Sequence, residues 1–267
     1  MRKFTLREIK EGEEEKSNWS INIYPLSYIS PYIAWFFVRF LPFITPNQIS
    51  FLWGFIALIG IVMIGIGGYF NMVAGILIFH IAILLDYVDG QIARATKNTT
   101  LGGTYLDMVF SWINRSLLIF ALGLGIYHMN GEIIYYYIGL WTGFIFLIDN
   151  LVKLKVYESL INENRLDLIE KQKTNVKKLG ERCSKEKNIF RDFKKLFVEM
   201  MRPFAPFSFL FFTIIFNISE YYLIIITILA SILFVKNFMN IYRDIGNIST
   251  QKYELNRLMK EKLKKES

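Results

Sequence analysis

The sequence predicts an all-α polytopic membrane protein, six transmembrane helices preceded by an interfacial helix. Three observations lead there. Apolar residues make up 53% of the 267-residue chain and mean hydropathy is +0.33, too apolar for an ordinary soluble domain. Charge-free runs recur at membrane length, starting with the 22 residues 49–70, where about 20 suffice to cross the hydrocarbon core as a helix. Lys and Arg, Arg115 apart, fall on one side of the six-span arrangement or at helix ends facing it, as the positive-inside rule requires of a cytoplasmic face.

The elements follow in order. Residues 1–20 mix basic side chains with the three glutamates 13–15 and contain no apolar run, so they read as a cytoplasmic tail and not a cleaved leader. Residues 31–41 carry Ile33, Phe36, Phe37 and Phe40; the stretch is too short to span and suits a helix lying among headgroups. Spans are then expected at 49–70, at 72–85 running into Asp86, at 106–128 after a break at Gly102-Gly103, and at 133–154. A shorter fifth at 204–217 and a sixth at 221–235 complete the set. The chain divides accordingly into a tail and interfacial helix (1–45), spans one to four (46–156), a charged cytoplasmic insert (157–202), and spans five and six with a basic tail (203–267).

The 31 Lys and Arg against 23 Asp and Glu give a formal charge of +8. Their one-sided placement makes this an orientation signal for a multi-pass protein of the cell membrane with both termini cytoplasmic, and no nucleic-acid partner is called for. A single cysteine, Cys183, excludes an internal disulfide framework and a Cys-based metal site.

Chemistry concentrates where the second span meets the cytoplasm. Asp86 and Asp89 lie three residues apart, on one helix face. Two carboxylates that close repel each other, and near lipid a hard divalent cation with oxygen ligands is the simplest way to neutralise them. Asp107 enters from the start of the next helix, where Thr104 is placed to cap and the helix terminus favours anions. Thr104-x-x-Asp107 also resembles a capping box, which would give Asp107 a merely structural part. Gly90 and Ala93 keep one surface low, and Arg94 is suited to a phosphate or a carboxylate.

The run Asp86-x2-Asp89-Gly90-x2-Ala93-Arg94-x8-Gly103-x3-Asp107-x3-Ser111 resembles the signature of the CDP-alcohol phosphotransferases, D-x2-D-G-x2-A-R-x8-G-x3-D-x3-D, in all but its last residue. Residues 45–50, Thr-Pro-Asn-Gln-Ile-Ser, including Asn47, are similar to the opening of that family's first span. The resemblance implies that Asp86, Asp89 and Asp107 hold one or two Mg²⁺ or Mn²⁺ ions on the diphosphate of a CDP-linked donor, CDP-diacylglycerol above all, with Gly90, Ala93 and Arg94 shaping the nucleotide pocket. It further implies transfer of the substituted phosphate to an acceptor hydroxyl with release of CMP, in phospholipid synthesis, by a homodimer.

Ser111 stands where the family has a fourth aspartate, the proposed general base, and a serine hydroxyl is too weak a base for that work. Either another group serves, with Asp149 the best substitute, or the chain binds CDP-nucleotides without turnover, or it is an altered or specialised member. Arg115, in register with Asp107 and Ser111 on one helix face, is a candidate for an acceptor phosphate; Arg115 and Asp149 neutralising each other as a buried pair is the plainer alternative. His80 and His128 read as structural. A transporter, the third class, has only the intramembrane Arg115 and Asp149 in its favour.

Overall fold

A computed structural model of the chain describes residues 9, 26–41, 43–96, 99–162 and 205–266. Among these residues there are seven helices and no strand: α1 (Leu26–Phe40), α2 (Pro46–Ile66), α3 (Tyr69–Ala95), α4 (Leu101–Asn130), α5 (Ile133–Asn162), α6 (Ala205–Ile215) and α7 (Ser219–Glu266). The expected all-α class holds. Most of the charged insert, residues 163–202, lies outside the described residues, and residues 157–162 continue α5.

Among the described residues five helical segments are long and apolar enough to cross a membrane: Pro46–Ile66, Tyr69–Ala95, Leu101–Asn130, Ile133–Val152 and Ser219–Arg243. The expected fifth span, 204–217, is represented among the described residues by α6, and the residues just before Ala205 lie outside them. The basic C-terminal stretch continues α7 as helix to Glu266.

Helix α2 packs against α3 and α4, α5 against α4 and α7, and α6 against α3 and α7. Lipid tails are as apolar as leucine, so helices associate in a membrane through close packing and not through escape from water. Gly60 and Gly75 make that approach possible between α2 and α3: a Cβ on either would stand 2.6 Å from the other's carbonyl oxygen. Around this contact Ile64, Ile76, Leu118 and Leu122, all buried, join the three helices into one core.

The connections fall where turn chemistry predicts. Gly67 (φ 79°) ends α2, Gly131 (φ 74°) caps α4 in the left-handed region, and Asn217 (φ 56°) turns between α6 and α7. Glycine adopts such angles freely and asparagine is the side chain that best tolerates them.

Helix α1 starts earlier than expected and has two faces. Ser30 and Ala34, fully buried, meet α3, where Ala34 joins Val88, Ile92, Ile49 and Ile9 in a second apolar cluster. Ile29, Tyr32, Phe36 and Phe40, each about half exposed, form the opposite stripe, suited to the headgroup region. Gln91 Nε2 donates to Ser30 Oγ at 2.8 Å, so this helix is tied directly to the segment of α3 that carries the acidic motif.

Candidate functional site

Three helix ends build the site. Helix α2 begins at Thr45, whose side chain accepts from Gln48 N while the Gln48 side chain accepts from Thr45 N at 2.8 Å; Pro46 opens the first turn. This reciprocal cap with a proline, which needs no N–H partner there, fixes where the helix starts. Asn47, on that first turn, points toward the start of α4, donating to Thr100 Oγ1 at 3.5 Å.

Helix α4 starts five residues before the sequence suggested. Thr100, not Thr104, is its N-cap, accepting from Gly103 N at 3.0 Å. Asp107 is therefore the seventh residue of the helix, exposed, and closes no helix end. The capping alternative for Asp107 fails on this geometry. Gly103 has its own reason: a Cβ there would meet Asn47 Oδ1 at 2.5 Å, so the missing side chain lets α2 and α4 converge.

The acids arrive from α3 and α4. Asp89, 6% exposed, accepts from Ser50 Oγ at 2.5 Å and is thereby turned toward α2. The side chains of Asp86 and Asp107 come close enough to share a hydrogen bond, with Asp89 and Arg115 within electrostatic reach of Asp86. Arg115, buried on α4, is also near Asp107 and Tyr87. Its partners are thus the motif acids.

All of these open into one cleft of about 520 Å³ at the ends of α2, α3 and α4. Asp86, Asp89 and Asp107 line it, with Arg94 and Arg115 as its cations. Asn47, Gly90, Ala93, Gly103 and Ser111 complete the set of motif residues that the fold brings together. Gly90 is covered by its own helix: a Cβ there would meet Arg94 Nη1 at 3.2 Å. The Arg94 guanidinium thus lies over the surface that Gly90 keeps low.

Among the described residues no three acidic, histidine or cysteine side chains stand at metal-ligand spacing. The donor chemistry suits a hard divalent cation: the donors are carboxylate oxygens in one cleft, and Asp86 and Asp107 lie so close that a proton or cation between them relieves their repulsion.

Asp149 is not part of the cleft. It accepts from Asn237 Nδ2 at 3.2 Å, joining α5 to α7, and no residue of α5 lines the cleft. Its expected part as a substitute base therefore lacks geometric support, because among the described residues the cleft is lined by α2, α3, α4 and the residues just before α4. The two histidines are structural as expected. His80 Nδ1 donates to Ile76 O at 2.7 Å and its ring meets Phe211, while His128 Nδ1 reaches the Gly65 and Ile66 carbonyls at the end of α2.

Residues the sequence reading passed over are Ser50, Thr100 and Trp112, all of which line the cleft. Ser50 had a signal, since it lies one turn after Asn47 on the same face. Thr100 and Trp112 had none apart from their nearness to the motif.

The fold and cleft define a multi-pass membrane protein with an acidic, arginine-flanked site at the ends of three packed helices. Residues 43–174 match the CDP-alcohol phosphatidyltransferase family. The family transfers substituted phosphate groups between a CDP-linked donor and an alcohol acceptor, and is generally dependent on a divalent metal. The match contains α2 to α5 and every residue of the cleft. No curated protein matches the chain.

Proposed function

We propose that the protein transfers the phosphatidyl group of CDP-diacylglycerol to a hydroxyl acceptor, releasing CMP, at the cytoplasmic face of the membrane. The acceptor oxygen forms a bond to the phosphorus remote from cytidine, the bridging P–O bond breaks with its electrons going to CMP, and the hydroxyl proton passes to a base. The observation that carries this reading is the meeting of Asp86, Asp89, Asp107, Arg94 and Arg115 in one cleft large enough for a nucleotide diphosphate.

In this reading Asp86, Asp89 and Asp107 hold one or two Mg²⁺ or Mn²⁺ ions, which when bound offset the negative charge that gathers on the diphosphate. Arg94 and Arg115 contribute fixed positive charge for phosphate oxygens. Asn47 and Gly103 keep the ends of α2 and α4 together so that the acids of neighbouring helices face one space. Ala93 leaves the wall of the cleft low for the nucleotide. Ser111 donates a hydrogen bond to the acceptor. In this reading the protein works as a homodimer, as its resemblance to the family implies.

One observation favours a second reading. Ser111, at the fourth aspartate's position, brings a neutral hydroxyl to the cleft, and Asp149 lies elsewhere, so the chain is alternatively a CDP-nucleotide-binding membrane protein without turnover. CMP release by the full-length protein in lipid, with Mg²⁺ or Mn²⁺ and a panel of alcohol acceptors, separates the two. Release that requires an acceptor supports the transferase, and nucleotide binding without release supports the alternative. Ser111→Asp restores the missing carboxylate and is expected to raise CMP release by about 10²-fold if only the base is lacking; no rise would argue that another group already acts as base.

A further inference from the structure

Beneath the cleft a second, much smaller cavity of about 20 Å³ reaches inward between α2, α3 and α4. Asp86, Ser111 and Arg115 line both, so it is the inner end of the same opening. Trp53 and Asn114 supply the rest of its polar wall. Asn114 is 2% exposed, and neither its Oδ1 nor its Nδ2 has a hydrogen-bond partner among the described residues. Buried amides are nearly always partnered, and leaving both ends of one bare is unfavourable.

The wall decides what completes it. The wall carries one charge of each sign, so a cation would meet the Arg115 guanidinium, an anion would meet the Asp86 carboxylate, and the Asn114 amide prefers neither. An apolar group would leave the amide as it is. A hydroxyl is neutral, donates and accepts, and matches an amide that also does both. The volume admits one oxygen-sized ligand, since a single water needs about 10–15 Å³ by the same measure.

We propose that this cavity binds a single hydroxyl oxygen, held between the Asn114 amide and the Ser111 hydroxyl beside Asp86. In the resting protein that oxygen is a water. Where the phosphatidyl-transfer reading holds, on which this clause rests, the hydroxyl of the acceptor alcohol replaces it, and Asn114 is a specificity-determining residue of the acceptor side.

The test is a structure of the full-length protein in a lipid nanodisc at a resolution that shows ordered solvent, with and without glycerol 3-phosphate as the probe alcohol. The expected result is an oxygen-sized feature within about 3 Å of Asn114 and Ser111. It stays separate from the probe if the source is water and becomes continuous with the probe if the source is the alcohol. A cavity without such density, or an Asn114 amide bonded to protein groups instead, overturns the proposal.

Asn114→Leu, with the same heavy-atom branching but apolar, provides an independent check. A partnered amide makes the variant melt below the wild type, whereas an amide that is bare in the native protein makes it melt above, and that rise overturns the site. Should the variant not fold, the wild-type density decides alone. In an active preparation the alcohol arm further expects an acceptor KM raised about tenfold with the CDP-diacylglycerol KM unchanged, the size of one lost hydrogen bond. Absence of CMP release with every acceptor would count against the transferase reading and leave the oxygen site standing on its density.

Discussion

Asp86 and Asp89 are held where carboxylates are least comfortable, close to each other and to Asp107 and partly or wholly withdrawn from water. Such crowding stores repulsion that a bound ligand relieves, so function and stability should pull apart at these positions. Asp86→Asn is expected to reduce CMP release at least about 10²-fold, while its melting temperature in ligand-free lipid equals or exceeds that of the wild type. A lower melting temperature would mean that Asp86 serves the fold. Ser50 acts one step back, because its hydroxyl orients the Asp89 carboxylate. Ser50→Ala removes a charge-assisted hydrogen bond of about 1.5–3 kcal/mol, and about tenfold or more weaker Mn²⁺ binding by calorimetry is expected, with Ser50→Thr close to the wild type. The acids, the glycines and Arg115 were legible in the sequence because spacing along one helix fixes which residues share a face. Ser50 opposite Asp89, and Asn114 beneath Ser111, were not, since each acquires its meaning only when a neighbouring helix arrives.

Helix contacts in this protein depend on what a missing side chain would have struck. At Gly75 a new Cβ meets the Gly60 carbonyl oxygen at 2.6 Å and the backbone N of Ile64 at 2.9 Å, so the obstacle is backbone. At Gly103 the first atom met is Asn47 Oδ1, the end of a side chain that can rotate. Gly75→Ala must push α3 from α2 and is expected to cost about 1–3 kcal/mol, read as a lower melting temperature. Gly103→Ala should cost less in stability and more in nucleotide affinity, because turning Asn47 away disrupts the join between α2 and α4 at the cleft. Equal effects of the two on stability would refute this distinction. The same region shows where sequence reasoning misplaces an element. Gly102-Gly103 read as a break, yet both lie in the first turn of α4. The first N–H groups of a helix lack intrahelical partners in any case, so the cap of Thr100 and the contact with Asn47 set the boundary, whereas the intrinsic reluctance of glycine to be helical does not.

The cleft lies at one end of the bundle, and which side of the membrane that end faces determines what can reach it. Arg94, Arg39 and Lys155 belong to the end of the molecule that holds the cleft or to helix segments leading away from it, whereas the connections around residues 67–71, 128–132 and 217–220 contain no Lys or Arg. Basic residues are retained on the cytoplasmic side during insertion, so the cleft is expected there. The chain carries its own reporter for this, since Cys183, outside the described residues, is its only cysteine and belongs to the 157–202 segment. In intact right-side-out vesicles a membrane-impermeant maleimide should leave Cys183 unlabelled until the membrane is opened. A Cys183→Ser, Glu132→Cys protein should show the reverse, because Glu132 is exposed in the connection between α4 and α5 at the opposite end. Labelling of Cys183 from outside would place the cleft on the outer surface. A diphosphate-bearing nucleotide does not cross hydrocarbon unaided, its charge being too costly to desolvate there. That single result would therefore remove a cytoplasmic CDP-linked donor from the site, whatever the acids in the cleft are able to bind.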